Sequence, residues 1–251
     1  MAIDFDGTDD KTQNNNGVTG IDVATISMAC WINGDSFITG NLRFELSTST
    51  ALTSLLTTDF DFPGNAVLYF TQGMTASNGD WRSSTTIMNT GTWYHLCTTH
   101  NASDVANDPS LYVDGVLQTI IEIVAPTGSR LTGGDSISLG TSVEAGGFYD
   151  GRLMECGVWN RILNADEVTT LARAYSPLAI PNGLVIYVPL VRTIQELMQG
   201  FAWTTIGTAV ADHTRIIDVT SSHAVIVSAA VAAEGSELLA ARIYTASGRM
   251  Y

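Results

Sequence analysis

Short runs in which apolar residues alternate with others recur along this chain, and clusters of Gly, Asn, Asp and Ser break most of them before a helix could complete its turns. Residues 25–32 (TISMACWI) place Ile26, Met28, Cys30 and Ile32 on one face, and Asn33-Gly34-Asp35 ends the run. Leu111-Tyr112-Val113 and Val116-Leu117-Gln118 flank Asp114-Gly115, a pair that tolerates the positive φ angles of a two-residue hairpin turn. Further strands are expected at 65–71, 92–99, 136–140, 151–159 and 184–190. The intervals between them leave no room for repeated helical crossovers, so the pairing must be antiparallel and the fold class all-β, a sandwich or a barrel. Hydrophobic residues at 45% and charged residues at 14% supply a core for one large domain or two small ones and exclude a disordered chain.

One helix interrupts the pattern. Asn164 can cap it, Glu167 completes a capping box, and Val168, Leu171, Ala172 and Tyr175 form an apolar stripe that Ser176-Pro177 ends. With a single face to bury, this helix is expected across an open edge or end of the sandwich. From residue 193 the strand rhythm fades. Residues 223–233 and 238–244 read as a second hairpin or, over 237–242, as helix. The expected division is a sandwich over 1–192 and a C-terminal extension over 193–251 that packs on it or mediates assembly.

Twenty-five acidic residues against 11 basic ones give a net charge of −14, which disfavours nucleic acid and anionic lipid as partners. The longest apolar stretch, 224–233, is about half of the ~20 residues that span a bilayer, so no membrane insertion is expected. Acids at Asp4 and Asp6 stand where a secretory signal would carry bases, so export by that route is not expected. Cys30, Cys97 and Cys156 are too far apart for zinc-ligand spacing and read as buried free thiols.

Five segments fall in a familiar order: FDGTDD at 5–10, ISMACWI at 26–32, TWYHL at 92–96, LYVDG at 111–115 and FYDGRLMECGVWNRIL at 148–163. Over about residues 1–190 the chain thereby resembles laminin-G-like domains of the concanavalin A-like lectin/glucanase superfamily. The resemblance implies a jelly-roll sandwich of two antiparallel sheets, with PNGLVIYVPL at 181–190 as the returning strand. The opening MAIDFDG is similar to proteins of tailed bacteriophages and related particles. This implies a non-enzymatic virion protein made in the host cytoplasm, a capsid decoration, head spike or tail adhesion component. Its partners would be other virion proteins or symmetry mates and host surface polysaccharide. The alternatives are a cell-associated carbohydrate-binding module and a glucanase-type glycoside hydrolase.

Members of that family often carry an acid in the late strand where this chain has Met154, which cannot ligate a hard cation, so a Ca2+ site is not carried over and no cofactor is expected. Asp104-Val105-Ala106-Asn107-Asp108 offers oxygen ligands but reads first as a solvated loop; the metal ligands, if any, stay unassigned. Hydrolysis would need closely spaced carboxylates on one strand, and no Glu-x-Asp-x-Glu exists; Glu45 is the strand carboxylate to replace as a test. Asp4, Asp6, Asp9 and Asp10 read as a solvated strand end. His95, His100, His213 and His223 lack a neighbouring nucleophile and read as packing residues. Residues 132–135 are glycine-rich but lack the lysine of a phosphate loop. Trp31, Trp93 and Trp159 lie in motif strands and are expected in the core. Trp81 lies in a polar segment, 77–83 (SNGDWRS), expected as a loop; Asp80, Trp81 and Arg82 are therefore the candidate glycan contacts, unless the indole tucks under its loop.

Overall fold

Ile26, Met28, Cys30 and Ile32 all point into one buried cluster, as their alternation requires. The computed structural model describes residues 2–36, 44–47, 54–60, 67–85, 88–141, 148–190 and 194–211. Its elements in chain order begin β1 (Ala2–Asp6), β2 (Lys11–Asn14), β3 (Thr25–Gly34), β4 (Phe44–Ser47), β5 (Ser54–Phe60), β6 (Leu68–Gln72), β7 (Gly79–Ser83) and β8 (Trp93–Asn101). They continue with β9 (Ser110–Val113), β10 (Val116–Leu117), β11 (Ile120–Val124), β12 (Ser136–Leu139), β13 (Asp150–Trp159), helix α1 (Ala165–Ala172), β14 (Leu184–Val188), β15 (Thr204–Ile206) and β16 (Ala209–Ala211).

Two antiparallel sheets result. The first runs β10-β9-β8-β3-β13-β1-β16, with β14 also on β13; the second runs β11-β7-β6-β5-β4-β12-β2-β15. Their facing sides share one core, in which Ile3, Phe5, Leu96, Leu111, Leu153 and Val158 of the first sheet meet Phe44, Leu46, Leu68, Phe70, Trp81, Ile137 and Leu139 of the second. This is the expected jelly-roll sandwich. Its predicted hairpin is in place: Asp114 and Gly115 have φ of 51° and 79° and join β9 to β10.

The helix begins as its sequence dictates. Asn164 Oδ1 accepts from Glu167 N at 3.0 Å, and Glu167 Oε2 accepts from Asn164 N at 2.9 Å. Its position corrects the expectation of an edge or end. Val168 and Leu171 pack with Ala29, Cys97, Tyr112 and Trp159 in a second cluster, so α1 covers the outward face of the first sheet. The reason is that this patch of the face is itself apolar and needs a cover. Trp159 is wholly buried there, its Nε1 donating to Ile180 O at 2.8 Å. Cys30, Cys97 and Cys156 are free and buried.

Beyond residue 193 the chain rejoins the sandwich. Glu196, itself buried, accepts backbone N–H bonds from Tyr187, Met198, Gln199 and Gly200, which fixes this return against β14. Strand β15 then pairs with β2 at the end of one sheet and β16 with β1 at the end of the other. The hairpin or helix expected within 223–244 lies outside the described residues. Among the described residues, no helix is long and apolar enough to cross a membrane.

Candidate functional site

The segment expected as a polar loop around Trp81 is strand β7, paired with β6 on one side and β11 on the other. Alternation sends Trp81 inward and Asp80 and Arg82 outward. The indole is 0% exposed, tilted against Phe70 at 6.1 Å and His100 at 5.5 Å, and its Nε1 donates to Asp108 Oδ1 at 2.9 Å. A Cβ on Gly79 would sit 2.2 Å from the ring, so only glycine lets the indole lie against this strand. The expected glycan contact at Trp81 is thereby corrected: both ring faces are occupied by the core, and no sugar can stack on it. Asp108 is committed to that indole, Asp104 Oδ1 accepts from Ala106 N, and Asn107 Nδ2 donates to Asn101 O, so the loop 104–108 spends these polar groups on itself and the core. His100 is held by Gln72 Oε1 at 3.2 Å and Asn107 O at 3.1 Å, and burial keeps its pKa below the usual imidazole range.

Asp80 and Arg82 do share a surface. On the outward face of the second sheet, Tyr69 stands opposite Arg82 and Thr71 opposite Asp80, all four half-buried. Thr71 Oγ1 donates to Asp80 Oδ1 at 2.8 Å, which orients the carboxylate. Residues two apart on a strand are about 7 Å apart and neighbouring strands about 4.8 Å, so the four side chains fit within the span of one or two sugar rings. An aromatic plane beside a carboxylate, a guanidinium and a hydroxyl offers a stacking surface for C–H groups with acceptors and donors for hydroxyls. Tyr69 was legible in principle: Leu68 and Phe70 point inward, which leaves the residue between them outside.

The same face changes character across the sheet. Glu45, Ser47, Ser136 and Ser138 are polar and outward, yet wholly buried. Glu45 pairs with Thr57, Thr57 with Thr71 and Thr71 with Asp80. Three inter-strand steps separate the two carboxylates by about 14 Å, outside the ~5–9.5 Å that glycosidase pairs span.

Two other polar groupings lie elsewhere. Asp6, Asp9 and Asp10 bring one carboxylate oxygen each within 4.8 Å of one another at the end of β1, a donor set a hard cation could use. The expectation of a solvated strand end holds for Asp6 and Asp9 but not for Asp10, which is buried and accepts from Asp6 N at 2.9 Å. Burial, then the charges of Asp6, Asp9 and Asp4, hold Asp10 above the ordinary carboxylate range against that bond. On the first sheet, Arg152 contacts Asp4, Asp35 and Asn33, each at 3.1–3.2 Å. Beside it Trp31 and Trp93 are half-buried on the outward face rather than in the core, because each falls out of phase with the inward residues of its strand. His95 meets Trp31 edge-on at 5.5 Å and is buried, which pushes its pKa down to about 3. Met154 is buried too, out of reach of any cation in solvent.

A profile described as the concanavalin A-like lectin/glucanases superfamily matches residues 6–169. Among curated proteins none matches significantly. Among solved structures, a heptameric SAP-like pentraxin from Limulus polyphemus superposes with a TM-score of 0.60 at 19% identity, over 83% of this chain and 93% of its own. A Bacteroides ovatus protein with a provisional carbohydrate-binding assignment gives 0.59 at 15% identity, over 83% of this chain and 59% of its own. At these identities the likeness is one of fold.

Proposed function

The chain belongs to the concanavalin A-like lectin/glucanases superfamily, and from that premise we propose that it is a carbohydrate-binding attachment protein that holds its ligand without turning it over. The observation that carries this reading is the half-open strip of Tyr69, Thr71, Asp80 and Arg82 on the outward face of the second sheet. Tyr69 would stack on the apolar face of a sugar, while Asp80 accepts from and Arg82 donates to its hydroxyls. The separation of Glu45 from Asp80 argues against hydrolysis, since no water or glycosidic bond can lie between them. Binding, not cleavage, is what such a strip can do.

The ligand in this reading is host surface polysaccharide, and the setting is a phage or phage-like particle on which the sandwich serves as decoration, spike or tail adhesion component. The resemblance of the first residues to phage proteins favours that setting over a cell-associated module, and the acidic surface keeps such a component off packaged DNA. Two experiments test the reading. A glycan array followed by titration calorimetry should find a polysaccharide fragment that the wild type binds and that Tyr69→Ala binds at least tenfold more weakly. Silence across bacterial surface glycans removes the carbohydrate function. Mass spectrometry of purified particles should find the chain in stoichiometric amounts; its absence from particles that contain the other structural proteins removes the virion setting.

A further inference from the structure

Three cysteines allow three pairings, and the fold separates them. Cys30 on β3 and Cys156 on β13 both belong to the core between the two sheets and are 1% and 0% exposed. Cys97 on β8 points the other way, into the cluster under helix α1. It stands opposite Ala29, so the plane of the first sheet lies between its sulfur and that of Cys30. The same plane separates it from Cys156, and β3 runs between their two strands as well.

Cys30 and Cys156 meet because β13 carries one extra residue. Trp31 pairs with Met154 and Ala29 with Gly157, so Glu155 and Cys156 together stand opposite Cys30. Leu153 is inward before this bulge, and Cys156 and Val158 are inward after it; unbroken alternation from Leu153 would turn Glu155 in and Cys156 out. Glu155 takes the φ of 55° that shifts the phase, a conformation that strains any residue but glycine, and its carboxylate accepts from Tyr187 Oη at 2.7 Å. Residues opposed across antiparallel strands have Cα atoms about 4.5–5.5 Å apart, inside the ~4.4–6.8 Å that a disulfide spans. The Cys156 thiol also lies in hydrogen-bonding range of Cys30.

We infer that Cys30 and Cys156 are a modification site: they close into a cross-strand disulfide when the chain folds in the presence of a small-molecule disulfide oxidant, while Cys97 stays a thiol. One cysteine thiolate attacks the S–S bond of the oxidant, forms a mixed disulfide and releases one small thiol. The second thiolate attacks the protein sulfur of that mixed disulfide and expels the other small thiol. The protein loses two protons and two electrons, and the oxidant takes them up as two thiols. Folding is the step at which this occurs. In the finished sandwich burial disfavours the thiolates of Cys156 and Cys97 and shuts out an oxidant the size of glutathione, so the folded dithiol is inert and the folding chain is not. The bond ties together two neighbouring strands in the middle of the first sheet and closes about half of the chain into a loop, which restricts the unfolded state strongly. It forms whether or not the outward faces bind carbohydrate.

Refolding of the full chain from urea, in parallel buffers with reduced or oxidised glutathione in excess, tests the inference. After oxidising refolding the intact mass should be about 2 Da lower and the thiol count should fall from three to one. A peptide map should join Cys30 to Cys156 and leave Cys97 open to alkylation in denaturant. The linked form should melt at least about 5 °C above the dithiol form and return to it with dithiothreitol. Cys156→Ala, refolded in the same way, should keep both of its thiols. A wild type with three free thiols at every glutathione ratio overturns the inference. So does a map that joins Cys97 to either of the others, or a linked form that melts below the dithiol, since the native register would then not accept the bond.

Discussion

The outward faces of the two sheets have the same origin and opposite fates. On the first, alternation exposes Ala29, Cys97, Tyr112 and Trp159, and helix α1 with its following segment covers them with Val168, Leu171, Ile180 and Leu184. On the second, alternation exposes Tyr69, Thr71, Asp80 and Arg82, of which Thr71 hydrogen-bonds to Asp80, and all four stay half-open. An apolar outward face costs free energy until something packs on it, so the chain must spend a helix there. A polar one is stable in water and can be left for a ligand. The contrast teaches that the helix goes to the apolar part of an outward face and leaves the polar parts half-open, Tyr69 to Arg82 on the second sheet and Arg152 with Trp31 and Trp93 on the first.

Substitutions can break that contrast. The largest effect is expected at Trp159→Ala, which empties the centre of the helix-covered cluster and should cost ~3–5 kcal/mol in urea denaturation. Trp81→Ala belongs in the same range, because its indole is core and not contact surface; an affinity loss with unchanged stability would contradict its placement. Acid comes next. The folded state binds a proton at His95 only at about 3 while the unfolded state binds one near 6.5, so the stability is fully present above about pH 6.5 and is lost as pH falls toward 3. The slope is up to about 1.4 kcal/mol per pH unit, and His95→Gln should flatten the fall in urea midpoint between pH 6.5 and pH 4. Burial of His100 acts with the same sign. Asn164→Ala removes the helix cap and should cost ~1 kcal/mol, lowering the melting temperature by a few degrees. Tyr69→Ala should change stability least, by about 1 kcal/mol or less, while it removes carbohydrate binding.

Much of the scaffold was legible because it is coded locally. The alternation of residues 25–32, the Asp114-Gly115 turn and the Asn164–Glu167 box each act over a few residues, and each appears where expected. The position of the helix was not legible, since an apolar stripe states that one face is buried but not against what. Strand β7 was missed for a related reason. The segment SNGDWRS is polar and rich in turn formers, and it becomes a strand only because β6 and β11 pair with it on both sides and Asp108 satisfies the indole from a different part of the chain. Of the three residues singled out there, Asp80 and Arg82 do share the outward face, and the aromatic that joins them, Tyr69, comes from the neighbouring strand.

The most direct test of the account is a two-dimensional amide NMR titration with a glycan fragment that the array identifies. Shifts should concentrate on residues 69–71 and 80–82, with the helix-covered residues near Trp159 unmoved. Shifts gathered instead on α1 or on Asp6, Asp9 and Asp10, with β6 and β7 silent, would contradict the assignment of the open face as the site.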